Sequence, residues 1–227
     1  MARSWNRGPS AATRERPSTP ATVTRRARPA SSAGNSLTGP DPRERITMAR
    51  LPYLDVDDLA PEDQRLLDPP LNIFRVLAYC PEGARAFGRL GLWIRFKTKL
   101  DPRLRQMAIL RVGAVTRTDY EYSHHIELGR QFGLSDDDIL AVVAGPEDES
   151  LTEVERLVLT AADEMTNGVG IGAETFKALQ GHLDEGMMVE LTMTLSYYNG
   201  VVRILNSLDI DVEPDYERYL EEFPLDR

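Results

Sequence analysis

From Pro52 onward, apolar residues recur three and four positions apart, the spacing that keeps one face of a helix out of water. Leu59 to Leu66 reads as a short helix. Pro81 to Phe96 (PEGARAFGRLGLWIRF) reads as a longer one, with Ala84, Phe87, Leu90, Leu92 and Ile94 among its apolar positions. Asp101 is an N-cap followed by Pro102 at the first helical position, where a missing N–H costs nothing, and this helix runs on through LRQMAILRVGAVT. The next spans Asp119 to Gly133, with Tyr122, His125, Ile126, Gly129 and Phe132 along one side. Ser135 with Asp138 opens a helix to Gly145, and Thr152 with Glu155 forms a capping box ahead of Val154, Leu157, Val158, Ala161 and Met165. A glycine-rich connection, Gly168 to Gly172, leads to a short helix from Ala173 to Leu183 and a long one from Asp184 to about Leu208. No NG or DG turn lies between alternating apolar runs, so a sheet is not expected. The pattern predicts an all-α helical bundle of about seven or eight helices.

Composition divides the chain in two. Residues 1–47 hold nine Arg against three acids and almost no large apolar side chains, too few to offset the entropy of ordering. They are expected to form a disordered Arg/Ser/Pro-rich arm, with residues 48–227 as the folded domain. An upstream-assigned start with Met48 as the true beginning, a basic binding arm and a transit peptide are the readings of this arm, in that order. The folded part therefore carries more than the whole of the chain's net charge of −9. An acidic body without a basic stripe repels phosphate backbones, so no nucleic-acid partner is expected. No apolar run approaches the length of a membrane span, which points to a water-soluble, cytoplasmic protein with no membrane partner. The single cysteine, Cys80, excludes an intramolecular disulfide, a CxxC redox pair and a cysteine-based zinc site within one chain. With no cationic neighbour in sequence, Cys80 reads as a buried structural thiol.

The chemistry-bearing segment is TRTDYEYSHHIELGRQFGLSDDDI. On a helix Glu121 and His125 are one turn apart on the same face, with Tyr122 at i+3 from His125. A carboxylate beside an imidazole holds the tautomer a general acid or base needs near neutral pH. His124 points about a hundred degrees away, so only one of the two histidines is central.

The run LDPRLRQMAILRVGAVTRTDYEYSHHIELGRQFGLSDDDI resembles the signature half of the carboxymuconolactone decarboxylase and alkylhydroperoxidase D superfamily. VELTMTLSYYNGVVRILNSLDIDVEP resembles its closing helix. The likeness covers about Met48 to Pro214. It implies an alkylhydroperoxidase D-like bundle and, in the peroxidase branch, a glutamate followed on the next helix by C-x-x-C-x-x-x-H. Counted back from His125, the cysteine positions fall on Thr118 and Glu121, and the glutamate position on Gln106. Peroxide reduction needs a thiolate and a resolving thiol, and this branch has neither there.

What the resemblance leaves is acid–base chemistry of the decarboxylase kind, without metal or organic cofactor, on a small carboxylated lactone or keto acid. His125 is then the proton carrier, Glu121 its orienter or the base itself, and Tyr122 a third catalytic group. Tyr120, Gln106 and His124 are candidates for contacting substrate, with Arg111 and Arg203 for its carboxylate. The plain alternatives are a core histidine at 125 and ion-pair roles for Arg111 and Arg203. Tyr197, Tyr198 and Asn199 read as packing residues, and Met187, Met188 and Met193 as filler. Glu121 and His125 alone are too few to ligate a metal. The resemblance further implies a homo-oligomer, a trimer or hexamer. The competing functions are an alkylhydroperoxidase-like antioxidant activity and a non-catalytic ligand-binding oligomer.

Overall fold

The computed structural model describes residues 49–225 and is all-helical over that range; the expectation for residues 1–47 lies outside the described residues. The elements are α1 (Asn72–Leu77), α2 (Pro81–Lys97), α3 (Pro102–Val115), α4 (Asp119–Gln131), α5 (Asp136–Ala144), α6 (Glu153–Asn167), α7 (Ala173–Leu179), α8 (Glu185–Leu208) and α9 (Pro214–Glu222). No helix is long and apolar enough to cross a membrane among these residues.

The predicted punctuation is where helices start. The Asp101 carboxylate accepts from the N–H groups of Arg103 and Leu104, and Asp184 accepts from Met187 N–H. Ser135 with Asp138 and Thr152 with Glu155 close reciprocal capping boxes. The C-terminal stop of α4 is Gly133, at φ +95°, a conformation glycine adopts without strain.

Three elements differ from expectation. Residues 59–66 do not make an α-helix: two 3-10 turns occupy Val56–Asp58 and Gln64–Leu67 instead. Pro61 restricts Ala60 and removes a donor, leaving too short a stretch for propagation. Helices α1 and α9 are additional. Each is short and held by tertiary contacts: Asn72 N–H donates to the Glu213 carboxylate at 2.6 Å and Asn72 Nδ2 to Asp211 O at 3.0 Å, which ties the start of α1 to the loop that opens α9.

Helix α3 organises the core because LRQMAILRVGAV is apolar nearly all round, and such a helix is stable only when covered on several sides. Ala108, Ile109 and Val112 face one cluster, shared with α1, α2, α6, α7 and α8. Met107, Leu110 and Ala114 face a second, shared with α4, α5, α6 and α9. Burying each large aliphatic side chain contributes about 1.5–3 kcal/mol, so this septum anchors whatever it carries. Helix α4 returns antiparallel after a turn at Thr116 to Thr118. At Gly113 a Cβ would lie 3.1 Å from the Tyr122 backbone, so the glycine sets how closely α3 and α4 approach.

Candidate active site

The α3–α4 hairpin places Gln106 against His125. His125 Nδ1–H donates to Gln106 Oε1 at 2.8 Å, and Nε2 lies 3.0 Å from Glu121 Oε1 across one turn of α4. All three side chains are buried, and the edge of the Tyr198 ring closes over the imidazole at 5.0 Å between centroids. The approach to Glu121 is off-line, so that Oε1 has no well-directed donor. With the Nδ1 proton committed to Gln106, Nε2 is the ring nitrogen that faces the carboxylate. An acid and an imidazole at this separation are close enough to exchange a proton. Burial holds the His125 pKa below its ordinary value against the opposing pull of Glu121, and the charges of Arg95 and His124 add to the lowering.

The remaining sequence candidates are distributed elsewhere. Tyr122 was expected beside the pair, but its ring turns into the second apolar cluster with Met107 and Ile126. Its hydroxyl is buried without a partner, and burial raises its pKa to about 12. The i+3 spacing puts it sixty degrees off the Glu121–His125 line, and α4 is covered on both sides.

His124 and Tyr120 join a separate acid–imidazole cluster. His124 Nδ1–H donates to Tyr120 O at 2.8 Å, its Nε2 lies 3.0 Å from Glu213 Oε2, and its ring is stacked between Tyr120 and Tyr216. Tyr120 Oη–H donates to Glu213 Oε1 at 2.9 Å. Burial pushes the Glu213 pKa up, but contact with His124 and the Asn72 N–H more than offsets it, and the net shift is downward. This cluster fastens α1 and α9 to α4. No signal in the sequence marked Glu213, because its partners lie far away along the chain.

Arg111 is fully engaged. Its Nε and Nη2 donate to the two Asp163 oxygens at 2.6 and 2.8 Å, and its Nη1 to the carbonyls of Val142 and Val143. Arg203 is exposed and donates to its own helix at Asn199. Neither is brought to the pair. The Thr118 hydroxyl is committed to Thr116 and Asn206, and Cys80, expected to be buried, is exposed at the N-cap of α2, where the chain turns at the surface.

Two arginines missed in the sequence do reach the pair's surroundings. Arg95 of α2 acts electrostatically on His125, Tyr197 and Tyr198, and Arg105 of α3 on Tyr198. Arg105 is buried without a carboxylate partner among the described residues; Nη1 donates to Thr98 Oγ1 and Leu100 O, and the guanidinium stacks on Phe132. The i−4 carboxylate that would naturally pair with it, Asp101, is spent on capping α3. Arg95 Nε, Arg105 Nε and Gln106 Nε2 are buried donors without partners. Each such group costs about 1–3 kcal/mol if left without a partner.

The depressed His125 pKa has a stability consequence. The unfolded chain takes up the imidazole proton near the ordinary value of 6.5 while the folded chain resists it, so stability is full above that pH and falls as pH drops below it. Glu213, lowered from 4.5, adds to the loss only at more acid pH. The urea midpoint of the wild type is therefore expected to decline from pH 6.5 toward 4.5, and that of His125→Gln to stay nearly level over the same window; parallel curves would contradict the assignment.

The carboxymuconolactone decarboxylase family model matches residues 81–164, the stretch that holds the hairpin and the pair. No curated relative matches the sequence. Among solved structures, the chain is similar to an alkylhydroperoxidase AhpD core protein, peroxidase-related and uncharacterized, from Ralstonia eutropha, at 18% identity over 78% of this chain and 97% of that one, with a TM-score of 0.68. It is similar to a peroxidase-related protein from a Silicibacter species at 17% identity over 76% and 97%, TM-score 0.64. It is also similar to the debrominase Bmp8, solved in complex with 2,3,4-tribromopyrrole, at 18% identity over 78% and 98%, TM-score 0.64. The fold is thus that of the AhpD-like all-α proteins, a class that includes enzymes. Residues 81–164 thus match the carboxymuconolactone decarboxylase family, and the fold around them is similar to that of alkylhydroperoxidase D-like proteins.

Proposed function

We propose that this protein is a cofactor-independent acid–base enzyme, a lyase of the decarboxylase kind acting on a small carboxylated lactone or keto acid. The observation that carries the reading is the buried Glu121–His125 pair, oriented by Gln106, on a scaffold with no thiol at that place. Loss of CO2 leaves the breaking bond's electron pair on the neighbouring carbon as an enolate. The proton shared by His125 Nε2 and Glu121 is then delivered to that carbon, and the unpartnered Gln106 amide N–H stabilises the enolate oxygen meanwhile. A relative of the same fold that holds a small ring compound supports a substrate of that size. The test is a screen of carboxylated lactones and keto acids for a rise in melting temperature, followed by turnover assays of the hits. The peroxidase alternative draws no support from Cys80, which has no contact with the pair.

Assembly into a homo-oligomer belongs to the same proposal. Leu92 and Trp93 of α2 and Val189 and Met193 of α8 are exposed, and Val189 and Met193 line a groove of about 390 Å³ with Phe176, Leu183 and Met188. Packing against a second copy would remove this apolar surface from water. Light scattering is expected to give a mass of at least three chains; the mass of one chain would refute it.

A further inference from the structure

We infer that Arg95 and Arg105 together form the binding site for the carboxylate of a small organic acid, at the side of the Glu121–His125 pair. The inference rests on the acid–base reading for its role in turnover, but the binding itself stands on separate observations. Phe96 and Phe132 have ring centroids 6.0 Å apart, and each carries one guanidinium: Arg95 lies 5.6 Å from the Phe96 centroid and Arg105 5.1 Å from that of Phe132. The ring contact links the two residues, and both cations act on the buried Tyr198. Neither cation has a carboxylate partner among the described residues, and each has a buried Nε–H without an acceptor. A buried N–H without an acceptor is costly, and a carboxylate oxygen placed beside each Nε would satisfy it.

The surroundings select among anions. The Gln106 amide adds a third unpartnered donor, and it already holds His125, so an anion between the arginines lies next to the proton-transfer pair. Guanidinium groups stacked on aromatic rings present planar pairs of N–H donors, which match a planar carboxylate. Phe96 and Phe132 supply apolar walls for the carbon skeleton. Arg95 is only partly buried and Phe96 is 57% exposed, whereas Arg105 is buried, so the acid enters past Arg95 and seats against Arg105. Tyr198 feels both cations and lies against His125.

The test is isothermal titration of the intact protein with sodium benzoate and, separately, with inorganic phosphate, in low-chloride buffer. Benzoate is expected to bind, and Arg95→Met is expected to weaken it about tenfold or more, the loss of one charge-assisted pair. Arg105→Lys, which keeps the buried charge and so spares the fold, is expected to weaken it similarly by removing the planar fork. Arg89→Met, an exposed arginine on the same helix, is expected to change nothing. Absence of benzoate binding, equal binding by Arg95→Met, or binding of phosphate alone would overturn the inference. The two readings fail differently: turnover that survives Glu121→Gln defeats the acid–base reading, and carboxylate binding indifferent to Arg95 defeats this one.

Discussion

Glu121→Gln is expected to fold and to lose turnover by about 10²–10⁴-fold, the range for removing a positioned acid or base. The amide keeps the shape of the carboxylate but cannot take or release a proton, so the partner 3.0 Å from His125 Nε2 no longer exchanges with it. The loss should fall on kcat, since Glu121 meets the substrate through the proton in flight and not through ground-state binding. One limb of the pH profile should disappear with it. His125→Ala should lose at least as much, but there the buried carboxylate is left alone, and removing one partner of a buried pair costs about 3–5 kcal/mol of stability. The glutamine variant separates chemistry from folding for that reason. Unchanged kcat in both variants, measured on the substrate the screen identifies, would exclude the pair from catalysis.

Arg111→Ala is expected to destabilise the fold by about 2–4 kcal/mol, reduced from the value for a fully buried pair because water reaches part of Asp163. Three groups lose their partner at once: the Asp163 carboxylate of α6 and the Val142 and Val143 carbonyls near the end of α5. Gly145 also packs on the guanidinium, within 2.9 Å of a Cβ if it had one, so the α5–α6 connection loses its support. For a domain of this size the loss corresponds to a melting temperature lower by roughly 5–15 °C. A carboxylate-binding role predicts the opposite pattern, a raised KM with the melting temperature unchanged. Arg111→Met with Asp163→Leu should recover much of the stability, because the apolar pair leaves no charge unpartnered.

What could be read in advance, and what could not, follows from the range of the interactions. Adjacency of Glu121 and His125 is a property of one helical turn, and so is every N-cap from Asp101 to Asp184; such features need only neighbours within four residues. Tyr122 shows the limit of that reasoning. Helical spacing brought it near His125, but α4 is packed on two sides, and which side a residue faces depends on what lies across from it. Arg105 is the converse case: only the capping geometry of Asp101 shows that its i−4 acid is engaged by backbone N–H groups and leaves the buried Arg105 Nε without an acceptor.

Determined by the sequence alone were the all-helical class, the starts of seven of the helices, the resemblance to the carboxymuconolactone decarboxylase family, and the acid–imidazole pair without a thiol at the matching positions. Only the tertiary structure decided that Gln106 orients His125, that Arg111 is an ion-pair residue, that His124 belongs to a second cluster with Glu213, and that Arg95 and Arg105 both act on Tyr198. The division is physical: caps and i,i+4 contacts are settled within a helix, whereas burial and the pairing of charges across helices depend on packing that brings together residues distant along the chain.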